Sequence, residues 1–254
     1  MCVEKSKIKL TCVTPVLNHL DGLKYTLSHY LLNNFDIEYV IIDGGSSDGS
    51  YEYAEDLANK HRNISLITQK SNSLYGAFNE GIRAANGDFI IFNHCGDKFE
   101  FEQVLKCIDE YSECEIIACS ASQKSKDVFK VYLRSERTEM NRYVTSVLQP
   151  SWIVSKNLYE KFDFYNDKLK ISADVEFIIR IICAGVKIKY DDTIIVEMEE
   201  FRTSRINLYM KIFEHYEIKL KYAGWLHANY YLIFRLLKEL IIYPVWRKLR
   251  PIIK

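Results

Sequence analysis

Within the first 92 residues, four short apolar runs alternate with three amphipathic segments, and this alternation limits the fold more than any other feature. The runs occupy residues 10–14, 38–43, 64–67 and 89–92. Each is apolar through its middle rather than alternating, as strands buried on both faces are. Between them, residues 22–32, 51–59 and 76–85 carry apolar side chains at helical spacing; Leu23, Leu27, Tyr30 and Leu31 mark the first. In the second, Glu52, Glu55 and Asp56 lie toward the end where the helix dipole favours acids. Asn86-Gly87 closes the third. Such strand–helix units predict an α/β fold whose mostly parallel sheet is flanked by helices. Ligands of such sheets bind beyond the carboxyl ends of the strands. Here those ends are Thr14-Pro15, Asp43-Gly44-Gly45 and Asn93-His94-Cys95-Gly96-Asp97, three candidates for one site.

The pattern loosens after residue 100. Residues 115–120, 128–133, 186–190 and 193–198 read as strands, with a polar loop at 122–127. Residues 157–162 and 174–184 read as helices, the second stopped by Gly185. From residue 206 the chain is helical and aromatic, with breaks at Gly224 and Pro244. The expected organisation is one catalytic-type domain over 1–205, with a nucleotide-binding half to about 100 and an acceptor half to 205. A helical extension over 206–254 follows.

Composition narrows the function classes. With 48% hydrophobic and 27% charged residues in 254, the chain buries a core and is not a disordered or collagen-like sequence. Lys+Arg and Asp+Glu both number 34, which gives no overall attraction to nucleic acid. Seven cysteines without a C-x-x-C pair argue against a disulfide scaffold or zinc site and for reduced thiols in the cytoplasm. No secretory leader is read at the start, and the uncharged part of residues 222–234 falls short of the ~18–20 apolar residues of a spanning helix.

Three segments can carry chemistry. Asp43-Gly44-Gly45-Ser46-Ser47-Asp48-Gly49-Ser50 lets a ligand approach the backbone closely, with an acid to accept from a base or ribose hydroxyl. The same residues also make a plain turn in which Asp48 or Ser50 caps a helix. Asp97, with His94 three residues before it, can hold a divalent cation on diphosphate oxygens. Asp174 opens a strong helix, where it serves either as a capping acid or as a general base.

Taken in order, these segments resemble family 2 glycosyltransferases of the GT-A fold, in the branch that builds bacterial surface polysaccharides. The residues that carry the resemblance are Thr14-Pro15 to Asn18, the run from Val40 to Gly49, Leu74 to Ile82, Ala85 to Asp97, Gln149 and Ile171-Ser172-Ala173-Asp174. The resemblance spans about residues 8–200. It implies a nucleoside diphosphate sugar as donor and an inverting transfer to a saccharide, often carried on a polyprenyl lipid in relatives of this kind. It implies that Thr14, Pro15, Asp43 and Gly45 line the nucleoside pocket and that Asp97 meets the diphosphate. Asp97 and His94 are then the candidate ligands of Mn²⁺ or Mg²⁺, Asp174 the catalytic base, and Gln149 and Trp152 neighbours of the donor or acceptor sugar. The chain departs from the family pattern at Gly44, where many relatives carry a second acid. It departs again at His94-Cys95-Gly96, Tyr75-Gly76-Ala77-Phe78-Asn79 and Arg202-Thr203-Ser204.

Two other readings fit the same residues: a nucleotidyltransferase-like enzyme, and an inactive sugar-nucleotide-binding protein. The end of the chain adds a separate expectation. From residue 235, six basic residues (Arg235, Lys238, Arg247, Lys248, Arg250, Lys254) face one acid, Glu239, a local charge of +5. Beside Trp225, Tyr230, Tyr231, Phe234, Leu237, Ile241, Tyr243 and Trp246, this suits contact with the anionic inner face of a membrane. The same residues also suit packing on the catalytic domain or pairing in a homo-oligomer.

Overall fold

Strands that are apolar on both faces must be covered on both, and the observed sheet meets that demand. The computed structural model describes residues 9–33, 35–124, 129–132, 149–199 and 205–238. Strands β1 (Leu10–Val16), β2 (Glu38–Asp43), β3 (Ile64–Thr68) and β4 (Phe89–Phe92) run parallel in the order β3-β2-β1-β4. Helices α1 (Leu20–Asn33), α2 (Ser50–Lys60) and α3 (Leu74–Ala84) make the crossovers. Alternate strand residues face opposite layers. Cys12, Tyr39 and Ile41 pack with Leu23, Leu27 and Tyr30 of α1 and Ala54 and Leu57 of α2. Val13, Val40 and Ile42 pack with Ala77, Phe78 and Ile82 of α3. Each large side chain buried this way is worth about 1.5–3 kcal/mol. Gly81 lets α3 lie close on β1, because a Cβ there would overlap Val13 Cγ1.

Beyond β4 the sheet becomes mixed. Strand β8 (Trp152–Ser155) pairs antiparallel with β4 and with β6 (Ile116–Lys124). Strand β9 (Lys189–Met198) joins β6 in parallel and carries the short β5 (Lys98–Phe99) antiparallel at its outer edge. Strand β7 (Phe129–Tyr132) forms an antiparallel pair with β6. Helices α4 (Phe101–Glu110), α5 (Lys156–Lys161), α6 (Ala173–Cys183), α7 (Arg205–Ala223) and α8 (Trp225–Leu237) complete the described chain.

Several expectations are revised here. Residues 122–124 are strand rather than loop, because β6 continues to Lys124 in its pairing with β7. The two strands expected at 186–190 and 193–198 are one strand beginning at Lys189. The apparent gap is a bulge, since Ala118 pairs with Tyr190 while Ser120 pairs with Ile194, leaving Asp191, Asp192 and Thr193 opposite a single residue. Helix α4 and strand β8 have no counterpart in the sequence reading. The reading of the extreme N-terminus, the Arg202-Thr203-Ser204 departure, and the tail from Glu239 onward, with its Pro244 break and its last four basic residues, lie outside the described residues.

The two edges of the parallel half differ in character. At its amino edge, Glu38 is 9% exposed and accepts from Thr11 Oγ1 (2.6 Å), Asn86 N (2.7 Å) and Asn86 Nδ2 (2.6 Å), while Gly87 N donates to Thr11 Oγ1 (2.9 Å). A Cβ on Gly87 would meet Thr11 N at 2.6 Å. This edge is tied shut. Helix α7 docks on α6 through buried Ile218 and through Glu176, which pairs with Arg180 (3.0 Å) and Lys221 (3.2 Å) and accepts from Tyr222 Oη. Among the described residues, no helix is long and apolar enough to cross a membrane.

Candidate active site

The carboxyl edge is built by two turns laced together. Asn18, held at φ 50°, donates its backbone N–H to Ser46 Oγ (2.9 Å) and accepts from Ser47 N (2.8 Å). Asp48 accepts from Leu20 N (2.9 Å) at the start of α1 and from Ser50 N (3.0 Å) and Oγ (2.6 Å) at the start of α2. These donors hold its carboxyl below the usual range, Ser50 foremost. Neither Asp48 nor Ser50 is the N-cap of α2, which is Gly49; Asp48 instead ties the starts of α1 and α2 together from just outside both. Asp43, 1% exposed, accepts from Gly45 N (2.8 Å) and Ser46 N (3.0 Å) with one oxygen. Its other oxygen, Oδ1, is buried without a partner. Gly45 has φ 92°, the left-handed region that the turn requires.

Beside this turn lies a cleft of about 360 Å³ lined by Pro15, Leu17, Gly44, Gln69, Ser73 and Leu74 among others. Gln69 Nε2 donates to the carbonyls of Ser71 (2.7 Å) and Ser73 (2.9 Å), which turns Oε1 toward Gly44. The amide therefore occupies the space into which a side chain at position 44 would project. Thr14 does not line the cleft with its hydroxyl. That group is fully buried, donates to Asn93 O (2.7 Å) and bonds Tyr39 Oη (2.9 Å), so it fastens β1 to the end of β4.

Past β4 the chain divides its polar groups between two directions. His94 meets Gln149 Oε1 through Nε2 (3.2 Å), and its ring lies against Phe78. Burial lowers its pKa, so the imidazole is neutral. Gln149 Nε2 and Trp152 Nε1 are both buried without a hydrogen-bond partner, and the Trp152 ring belongs to the core with Phe92, Tyr159 and Phe177. Asp97 points elsewhere: Oδ1 accepts from Glu199 N (2.8 Å), and Oδ2 is buried and unpartnered. Its pKa is pushed up to about 7, first by burial and then by the Glu199 carboxylate, against the Glu199 N–H. That carboxylate reaches over Gly96, where a Cβ would overlap Oε2. Sequence reasoning missed Glu199, since nothing local marks the residue after β9 as a neighbour of Asp97.

Asp174 stands at the start of α6. Tyr75 Oη, from α3, donates to Asp174 Oδ1 (2.9 Å) and lies 2.8 Å from Ile171 O. Burial raises the Asp174 pKa; the Tyr75 hydroxyl and the Lys211 charge oppose it. A raised carboxyl that is still ionised is a better proton acceptor than an exposed one.

Among the described residues, no three His, Cys, Asp or Glu side chains gather to hold a metal, and His94 and Asp97 are not brought together by their side chains. A divalent cation on a phosphorylated ligand needs only one or two protein carboxylates, the diphosphate and water supplying the rest. The unpartnered Asp97 Oδ2, with Glu199 beside it, fits that smaller donor set.

The fold is that of nucleotide-sugar-binding GT-A structures. TarS of S. aureus, solved with UDP-GlcNAc, superposes with a TM-score of 0.68 over 91% of this chain and 73% of that one, at 17% identity. The mannosyltransferase PcManGT of Pyrobaculum calidifontis, solved with GDP-Man and Mn²⁺, gives 0.62 over 90% and 70%, at 14% identity. Residues 11–178 match glycosyl transferase family 2, and the chain belongs to that family. The uncharacterized glycosyltransferase EpsJ of Bacillus subtilis is 28% identical over 155 residues, which span 56% of this chain and 44% of EpsJ. The chain spans less than half the length of the curated relatives it matches.

Proposed function

We propose that this chain is an inverting glycosyltransferase that moves a sugar from a nucleoside diphosphate sugar to a saccharide acceptor in surface polysaccharide synthesis. The observation that carries the reading is the pairing of two features. One is a cleft at the carboxyl edge, lined by Pro15, Gly44 and Gln69 beside the turn that Asp43 holds. The other is a carboxylate, Asp174, held by Tyr75 at the start of α6. In this reading Pro15, Gly45 and Asp43 receive the nucleoside, with Thr14 fixing the strand end that carries them. His94, Gln149 and Trp152 border the sugar. Asp174 takes the proton of the attacking acceptor hydroxyl as that oxygen displaces the nucleoside diphosphate in one step with inversion. No covalent intermediate with the chain is required. Asp97 and Glu199 would hold a Mn²⁺ or Mg²⁺ ion, which when bound neutralises charge on the departing diphosphate.

The tail supports a lipid-linked acceptor at the inner face of the membrane. Trp225, Leu226, Tyr230, Ile233 and Phe234 of α8 are exposed large apolar side chains, 50–74% accessible, next to Arg235 and Lys238. Amphipathic helices of this composition settle in the headgroup region. The proposed organisation is a GT-A domain to residue 205, with α7 of the extension packed on it and α8 onward as the membrane contact.

The primary experiment is a screen of nucleoside diphosphate sugars with and without Mn²⁺, read by thermal shift and by the nucleotide released in the presence of cell-extract acceptors. Release of nucleoside diphosphate with sugar incorporation is expected. Pyrophosphate release would instead identify a nucleotidyltransferase, and binding without turnover an inactive binder. Flotation on anionic liposomes, comparing the full chain with one ending near Tyr222, tests the tail; equal behaviour of the two would refute membrane contact.

A further inference from the structure

Helix α7 reaches into the neighbourhood of Asp174 through one buried side chain. Glu214 is 6% exposed, and its carboxylate accepts three successive backbone N–H groups: Lys170 (2.6 Å), Ile171 (3.0 Å) and Ser172 (2.9 Å). These residues lead directly into α6, two positions before Asp174. Charge-assisted bonds of this kind are about twice as strong as neutral ones, and three in a row fix the path of the segment. Tyr75 holds the other side of the same segment, contacting both Ile171 O and Asp174 Oδ1. The loop is therefore clamped from α7 on its N–H side and from α3 on its carbonyl side. Ile218, one turn beyond Glu214, lies in the same core cluster as Phe177 and Ile181 of α6, so the clamp is mounted on packed helices.

We propose that Glu214 is a positioning residue for the reaction, setting the place and orientation of the Asp174 carboxylate through the 170–172 backbone. The proposal rests on the reading of Asp174 as base. It makes α7 part of the catalytic apparatus, beyond the stretch matched to the family at residues 11–178. Losing the clamp lets the start of α6 shift, and displacement of a reacting group by ~1 Å can cost ~10²-fold in rate.

The test compares Glu214→Gln, Tyr75→Phe and Asp174→Asn with the wild-type full chain, using nucleoside diphosphate release from whichever donor the screen identifies. Glu214→Gln should lower kcat by ~10–10²-fold while the donor KM changes less than about twofold. The acid limb of the kcat profile should move, because Asp174 is exchanged from a buried setting into a wetter one. The groups facing it are Tyr75 on α3, Tyr159 on α5, Tyr165, and Lys211 on α7. Amide exchange should quicken at 170–174 and stay unchanged at 38–43. If Glu214→Gln does not fold, Glu214→Asp, which keeps the charge and withdraws it by one methylene, carries the same comparison. Wild-type kcat and pH profile in a Glu214 variant with quickened exchange at 170–174 would overturn the proposal alone. Full turnover in Asp174→Asn would overturn the base reading and this proposal with it.

Discussion

Replacing Asp97 with asparagine should stabilise the nucleotide-free protein at neutral and alkaline pH while weakening donor binding. The carboxyl ionises near 3.8 when exposed, but its folded value is about 7, through burial and the Glu199 carboxylate. Between these values the unfolded chain releases a proton that the folded chain keeps, so stability falls as pH rises through the window. Above it the accumulated loss levels off at about 4 kcal/mol. Moving from pH 5 to pH 8 exposes about 2.5 kcal/mol of it. The substituted amide retains an acceptor for Glu199 N–H and carries no charge, so Asp97→Asn should escape that loss. Urea unfolding of both proteins at the two pH values, without nucleotide or metal, measures it. The variant should gain about 2.5 kcal/mol on the wild type between pH 5 and pH 8. A difference independent of pH would refute the argument, because only a titrating Asp97 produces the slope.

Three further outcomes follow from the geometry. Asp174→Asn should lower transfer by ~10²–10⁴-fold with the donor dissociation constant unchanged, read by calorimetric titration beside single-turnover rates. Gly81→Ala forces a methyl group into Val13 Cγ1 and should cost about 1–3 kcal/mol in chemical denaturation; a neutral result would mean α3 can move off β1 freely. Thr14→Val removes the donor to Asn93 O and should cost about 1–3 kcal/mol, with any loss of donor affinity secondary to that.

The nucleotide half was legible because its signals are local. Residues 38–43 and 89–92 are apolar on both faces and bounded by breakers, and both match β2 and β4 in full. The strand ends then marked Asp43 and Asp97, and a helix start marked Asp174, without knowledge of any contact. The later half was less legible because its order depends on distant pairing. Strand β8 is four residues long and joins β4 across more than 60 residues of sequence. The bulge at Asp191 and Asp192 imitates a loop unless β6 is seen opposite it. Tyr75 and Asp174 are 99 residues apart, Asp97 and Glu199 102, and Glu214 lies 42–44 residues from its three donors. No periodicity carries such information. Thr14 was recognised as important for its place at a strand end, but its hydroxyl turns inward, which only the burial of Tyr39 and Asn93 reveals.

The clasp between Glu214 and residues 170–172 also has a meaning in time. Strands β1 to β4 need nothing beyond Phe92 for their mutual pairings, so all partners in those pairings are translated early, although both faces are completed by later residues such as Phe101 and Tyr165. The segment leading to Asp174 waits for an acceptor that is translated much later. At 5–20 residues per second, the ~120 residues from Phe92 to Glu214 take roughly 6–24 s. On the assignments proposed above, every strand end of the nucleotide surface is translated well before the residue that orients the base.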